Sequence, residues 1–292
     1  MANITTSTNL FNAELVADVF SKVKGHSALA KLSAQTPIPF VGNEYMVFSM
    51  DGEASIVGEG AEKPAGDAAL KTVTIKPIKF VYQHRLTDEF VNMSEEQQIP
   101  YLQAFTDGFA KKMARALDIS AMHGVNPATG TAVSELADKN FDTVGSITVT
   151  EGKEDTNLED AITAIQEADG TCTGLALAPA YASALGKITV DGSGYQYPEF
   201  RFGGNPESFH GMASDVNNTV AFKSGSDLAI VGDFANAFKW GYAENVPCEV
   251  IEYGDPDGLG DLKKTNQIVL RAEAYIGFGI LDTDSFKRIV KA

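Results

Sequence analysis

Cysteine, tryptophan, histidine and positive charge are all scarce in this chain of 292 residues. Its two cysteines, Cys172 and Cys248, cannot build a disulfide framework and stand at no metal-ligand spacing, so both are expected as small buried residues. Lysine and arginine number 23 against 39 aspartates and glutamates, and a net charge of -16 argues against a protein whose task is to grip nucleic-acid phosphates. Solubility at high local concentration is what that balance favours. No apolar run approaches the roughly 20 residues that span a bilayer, so no membrane partner is expected. Met1-Ala2-Asn3-Ile4-Thr5-Thr6 also lacks the basic and apolar regions of a signal peptide. The expectation is a chain made and used in a cytoplasm.

Catalytic patterns are missing too. There is no phosphate-binding glycine loop, nucleophile elbow or zinc helix motif. His26, His84, His123 and His210 are scattered through different elements, where structural or solvent-facing roles are expected. The nearest thing to a cation loop is Asp255-Pro256-Asp257-Gly258-Leu259-Gly260-Asp261. Leu259 and Asn266 stand where such a loop wants carboxylate oxygens, so a solvated turn is expected. Gly232-Asp233-Phe234 reads as a tight strand connection, since no partner carboxylate lies at a recognisable spacing. No enzyme activity, cofactor or metal is expected from this chain.

What is present is an ordinary globular mix, 44% hydrophobic and 21% charged, with length for about two domains. The most informative stretch is residues 49–82, which reads as two extended arms around a glycine-rich polar tip, residues 58–67. In the second arm Val73 and Ile75 alternate with Thr72, Thr74 and Lys76; Pro77 interrupts, and Ile78 and Phe80 resume. A two-stranded ribbon alone is marginal in water, so this one is expected to lie on another surface, either a neighbouring copy or its own domain.

Helical spacing appears at Phe11, Leu15, Val16, Val19, Phe20 and Val23, behind Thr8 and Asn9 as caps and ahead of Gly25. The strongest helix follows the ribbon. Pro100 suits its first position, Leu102, Phe105, Phe109, Met113 and Leu117 form one stripe, and Gly124 ends it. Asp107 with Lys111 and Arg115 with Asp118 are expected to pair on its other face. At about 24 residues it would run roughly 36 Å, long enough to act as a spine. A further helix capped by Asn157 with Asp160 carries Leu158, Ala161, Ile162 and Ile165, and Pro179 opens another. Strands are expected at 175–178, 220–222, 228–231, 238–242 and 248–252. A long one at 268–281 turns Ile268, Leu270, Ala272, Ala274, Ile276 and Phe278 to one side and Arg271, Glu273 and Tyr275 to the other.

The order of these features resembles the major capsid protein of tailed double-stranded DNA phages, the Hong Kong 97 phage fold, over nearly the whole chain. Ser27-Ala28-Leu29-Ala30 behind the first helix resembles that family's N-arm. Glu53-Ala54-Ser55-Ile56-Val57-Gly58-Glu59-Gly60 with Lys63-Pro64 resembles its extended loop, and Leu86-Thr87-Asp88-Glu89-Phe90 the entry to its spine helix. Gly232-Asp233-Phe234, the run from Asn266 to Ala272, and Asp282-Thr283-Asp284-Ser285-Phe286 resemble its closing pattern. The resemblance implies an α+β fold with an N-arm at 1–42, an extended β-hairpin loop at 43–84, a peripheral domain at 85–157 and 263–292, and an axial domain inserted at 158–262.

The implied function is self-assembly as pentamers and hexamers into an icosahedral shell. That shell encloses double-stranded DNA without sequence-specific binding, and is built in the bacterial host cytoplasm to become the virion capsid. A portal is the implied partner, and the resemblance leaves open scaffolding or decoration proteins beside it. The implied interface residues are Phe11, Leu15, Val19, Phe20, Glu59, Glu62, Lys63 and Pro64. Two alternatives stand beside this reading: an encapsulin-like nanocompartment shell protein and a cytosolic α/β enzyme.

Some members of that family cross-link by attack of a loop lysine on an asparagine, aided by a glutamate, and Lys63, Asn266 and Glu273 fall where this chain resembles the pattern. The chemistry would need an apolar pocket that raises the carboxylate pKa, so that it takes the lysine proton before the amine expels ammonia. Asn266 and Glu273 are seven residues apart, an odd interval that places them on opposite faces of a regular strand. The site would therefore draw on different chains. Each residue also has a structural role, Lys63 as a tip charge, Asn266 in a turn and Glu273 as a partner of Arg271. A non-covalent shell is the expectation.

Overall fold

The computed structural model describes residues 26–51, 54–63, 65–190, 194–243 and 248–291. The amphipathic stretch with Phe11, Leu15, Val19 and Phe20 lies outside the described residues, as does Pro64. The first described helix, α1, is the short Ala28–Leu32, capped by the Ser27 side chain, which accepts from the Ala30 N–H. Two strands, β1 (Asn43–Asp51) and β2 (Asp67–Ile75), pair antiparallel as a sheet of their own, and β3 (Ile78–Thr87) follows beyond Pro77. Pro77 thus divides the ribbon from a strand that belongs to the body.

Helix α2 runs Glu95–His123, 29 residues and about 44 Å at roughly 1.5 Å per residue. It starts five residues before Pro100, which sits inside it. The reason is local. Residues 95–98 are two glutamates and two glutamines, good helix formers whose acidic members suit a helix start. Gln98 Nε2 donates to the Phe90, Val91 and Met93 carbonyls and ties the preceding turn to that start. A proline this early forfeits one ladder bond. At the far end Gly124 caps α2 in the left-handed region (φ 61), as expected. Leu102, Phe109, Met113 and Leu117 are buried along the expected stripe. Asp118 does not pair with Arg115; it is fully buried, and Arg115 donates to Asn218 instead.

The next elements are β4 (Gly145–Thr148), α3 (Glu154–Gln166), β5 (Gly174–Leu177), α4 (Pro179–Leu185), and the two-residue pairs β6 (Thr189–Val190) with β7 (Gly194–Tyr195). Helix α3 starts ahead of Asn157. That residue is buried within it and latches the preceding turn, donating to the Thr150 carbonyl (3.0 Å) and accepting from the Thr150 N–H. Then come β8 (Ser208–Phe209), β9 (Met212–Val216), β10 (Asp227–Gly232), β11 (Phe238–Tyr242), β12 (Cys248–Ile251), β13 (Gln267–Ile280) and β14 (Phe286–Val290). Residues 220–222 form no strand. Asn217 Oδ1 takes the Thr219 N–H and folds the chain into a turn, leading to a single 3-10 turn at Phe222–Ser224.

A six-stranded mixed sheet has the order β4-β14-β10-β5-β9-β8. Its central strands β5 and β10 are buried on both faces, which is why they read as continuous apolar runs. Leu175, Leu177, Ala229, Val231 and Ile289 pack under α3 and α4, while Ala176, Ile230 and Phe286 face the core shared with α1 and α2. The second sheet is organised on the long strand β13, which pairs with β3 along 267–276, with β12 along 269–272 and with β11 along 276–280. Its apolar face (Ile268, Leu270, Ala272, Ala274, Ile276, Phe278) is buried and contributes to the cores under α2. Strand pairing crosses the boundaries expected at 158 and 262, because β11 and β12 join β13, whereas β14 joins β10.

The arm after α1 zips along β11. Thr36 N–H donates to the Trp240 carbonyl (2.8 Å), Ile38 N–H to that of Tyr242, and Trp240 Nε1 to that of Ser33. Residue 241 is glycine because the Thr36 carbonyl oxygen lies 1.7 Å from where a Cβ would stand. The arm thereby covers what would be an open strand edge.

Candidate assembly surfaces

The ribbon is rooted firmly and then left bare. At its base Ile75 is fully buried against Gly277 and Gly279 of β13. Beyond the base, register sets Met46 opposite Thr72, Phe48 opposite Leu70 and Met50 opposite Ala68 on one face. Met46, Phe48, Met50 and Leu70 are 72%, 61%, 75% and 62% exposed. This apolar stripe on β1 escapes the alternation read from the second arm, because β1 carries apolar residues on both faces (Tyr45 and Val47 on the other) and so shows no clean alternation of its own. At the tip Gly60 takes φ 80 and the Ala61 N–H closes a turn on the Gly58 carbonyl. Glu59, Glu62 and Lys63 are all exposed there.

Asp118 fastens the N-arm to the spine helix. One carboxylate oxygen accepts from Ser27 Oγ and the Leu29 N–H, the other from the Ala28 N–H (2.9 Å) and Thr219 Oγ1 (3.0 Å). Burial pushes its carboxyl up to about 6, against the downward pull of those four donors. Three segments distant in sequence meet at this one side chain.

His123, Asp142, Asp227 and Arg288 form the densest charge cluster among the described residues. His123 Nδ1 lies 3.6 Å from Asp142 and 3.4 Å from Asp227, and Arg288 bridges the same two carboxylates at 2.9 and 2.8 Å. Burial alone would lower the imidazole pKa, but hydrogen bonds to Asp142 and Asp227 prevail and raise it to about 9. Two carboxylates thus share one guanidinium and one imidazole in a single cluster.

The acidic loop is a solvated turn, as expected, and is pinned at one carboxylate. Arg85 donates to both carboxylate oxygens of Asp257 and to the Gly260 carbonyl (2.8 Å), and the Asp257 pKa falls to about 2 under that contact. Cys172 is only partly buried. His26, His84 and His210 are exposed.

The cross-link candidates are not brought together within one subunit. Lys63 is at the ribbon tip, Asn266 is exposed at φ 50 just before β13, and Glu273 lies within that strand. Glu273 pairs with Lys79 of β3 at 2.8 Å, not with Arg271, whose partners are Gln83 and Glu249. The sheet decides this: the β3 to β13 register places Lys79 diagonally beside Glu273.

A rooted ribbon with a bare apolar face marks a surface that another chain would cover. Comparison with known proteins agrees. The family model for the phage capsid family matches residues 8–291. No curated protein matches the sequence. Among solved structures, a chain from Mycobacterium phage Ogopogo is 33% identical with a TM-score of 0.79, covering 91% of this chain and 92% of that one. One from Gordonia phage Cozz is 23% identical with a TM-score of 0.72, covering 93% and 86%. The capsid of a native GTA particle, computed with C5 symmetry, shares the fold at 14% identity and a TM-score of 0.63, covering 91% and 90%. The chain belongs to the phage capsid family.

Proposed function

We propose that this chain is the major capsid protein of a tailed double-stranded DNA phage, assembling as hexamers and pentamers into a closed icosahedral shell around the genome. The observation that carries this reading is the bare ribbon face of Met46, Phe48, Met50 and Leu70, which a monomer would have no reason to hold in water. The tip residues Glu59, Glu62, Lys63 and Pro64 and the stretch with Phe11, Leu15, Val19 and Phe20 are proposed to contact neighbouring copies. The likeness to the GTA capsid, a particle computed with C5 symmetry, supports five-fold vertices for this chain as well. The acidic balance suits a wall that contains DNA without holding it.

A portal is the partner this role implies, and scaffolding or decoration proteins are optional additions to it. A nanocompartment of the same fold would enclose protein cargo instead. Nuclease treatment of purified native particles, followed by extraction, separates the two: protected double-stranded DNA is expected. Particles that hold only protein would overturn the phage reading in favour of the compartment.

A further inference from the structure

The six-stranded sheet carries a protrusion and a cleft that match each other. The protrusion is the turn at Pro198–Gly203 next to β7, where the Arg201 guanidinium stacks 3.5 Å from the Tyr195 ring and 4.7 Å from that of Phe202. Phe202 is 96% exposed and held at φ 54, a backbone region that an aromatic residue rarely adopts. A large apolar ring is thus pushed into water beside a fixed positive charge.

The cleft, of about 550 Å³, opens between α3, α4 and residues 196–212. Leu158, Ile162, Leu185, Tyr197, Phe209 and Met212 make its apolar lining. Asp155, Glu159 and Glu199 supply its charge, and His210 is the one basic group lining it. After burial, those three carboxylates are what raise the Tyr197 pKa, so their field converges on the cleft.

We propose that Arg201 and Phe202 of one copy insert into this cleft of the next copy, so that the ring enters the apolar floor and the guanidinium meets Glu159 and Glu199. The occupant is a second copy because the α3 wall of the cleft is acidic (Asp155, Glu159) while the Arg201–Phe202 tip is cationic and apolar, and both lie on every chain. The contact is head to tail, the Arg201–Phe202 tip of one copy on the α3 wall of the next, and such contacts form a ring when the rotation between copies closes. It rests on the capsid reading and names residues that hold one ring together, separate from the ribbon.

The test compares wild type, R201E, the double variant R201E/F202A, and the charge swap R201E/E159R/E199R, which is read against R201E, under one assembly condition. Native mass spectrometry and electron microscopy count rings and shells, and circular dichroism with thermal unfolding confirms each fold. A loss of assembled particles of at least about tenfold is expected in the double variant, the size of one hot-spot truncation. Substantial recovery is expected in the swap. Wild-type yield from R201E/F202A overturns the contact, and so does a loss that the swap fails to reverse. If wild type itself makes neither rings nor shells, the capsid reading fails before this contact is at issue.

Discussion

Asp118 is the residue on which the N-arm depends. Each of its oxygens accepts from one backbone N–H and one hydroxyl, so removal strands four donors in a fully buried place. Asp118→Ala is expected to cost about 3 kcal/mol of subunit stability, measured as a shift in the urea midpoint of the unassembled chain. Asp118→Asn is expected to fare little better, since its amide nitrogen would face a backbone N–H whichever way it turns. An unchanged midpoint in the alanine variant would show that the junction is incidental. None of this was legible in the sequence, where Asp118 sits three positions from Arg115 and invites a helix-surface pair. Its partners Ser27 and Thr219 are 91 and 101 residues away, and only the fold brings them there. Glu273 teaches the same lesson, because its cation comes from an adjacent strand and not from its own.

At the scale of elements, patterns that depend on neighbours in sequence were readable, and those that depend on pairing were not. The stripe of α2, its Gly124 cap, Pro179 at the start of α4 and the alternation of β13 all appear where local periodicity put them. Pro100 misplaced the start of α2, since the Gln98 bonds that extend the helix upstream reach back to Phe90. The ribbon's direction is a pairing fact: register with β2 is what turns Met46, Phe48 and Met50 into one bare face. Replacing Phe48 and Leu70 with serine is therefore expected to leave monomer stability within about 0.5 kcal/mol, as for other exposed positions. Closed shells should be lost. Deleting residues 58–67 should give the same pair of outcomes. Normal shells from either chain, seen by negative-stain microscopy, would show that the ribbon face is dispensable.

At the scale of the whole molecule, strands of residues 158–262 pair in both large sheets with strands that follow them. The arm zipped along β11 and the Asp118 junction add to those ties, and the ribbon is the part left over for neighbours. Since Glu273 is paired with Lys79 and Asn266 stands in a turn outside β13, the subunits are expected to hold together without covalent bonds. Boiling mature particles in detergent should release one band near the 31.1 kDa chain mass. A ladder of oligomers that Lys63→Ala abolishes would establish the cross-link instead. The most direct measurement is a cryo-electron microscopy map of the particles formed by the purified chain. Closed icosahedral shells should appear, with residues 43–75 of each copy laid across a neighbouring copy and Phe48 and Leu70 buried there. A chain that stays monomeric under every assembly condition, or a shell whose ribbons fold back on their own subunits, would contradict it.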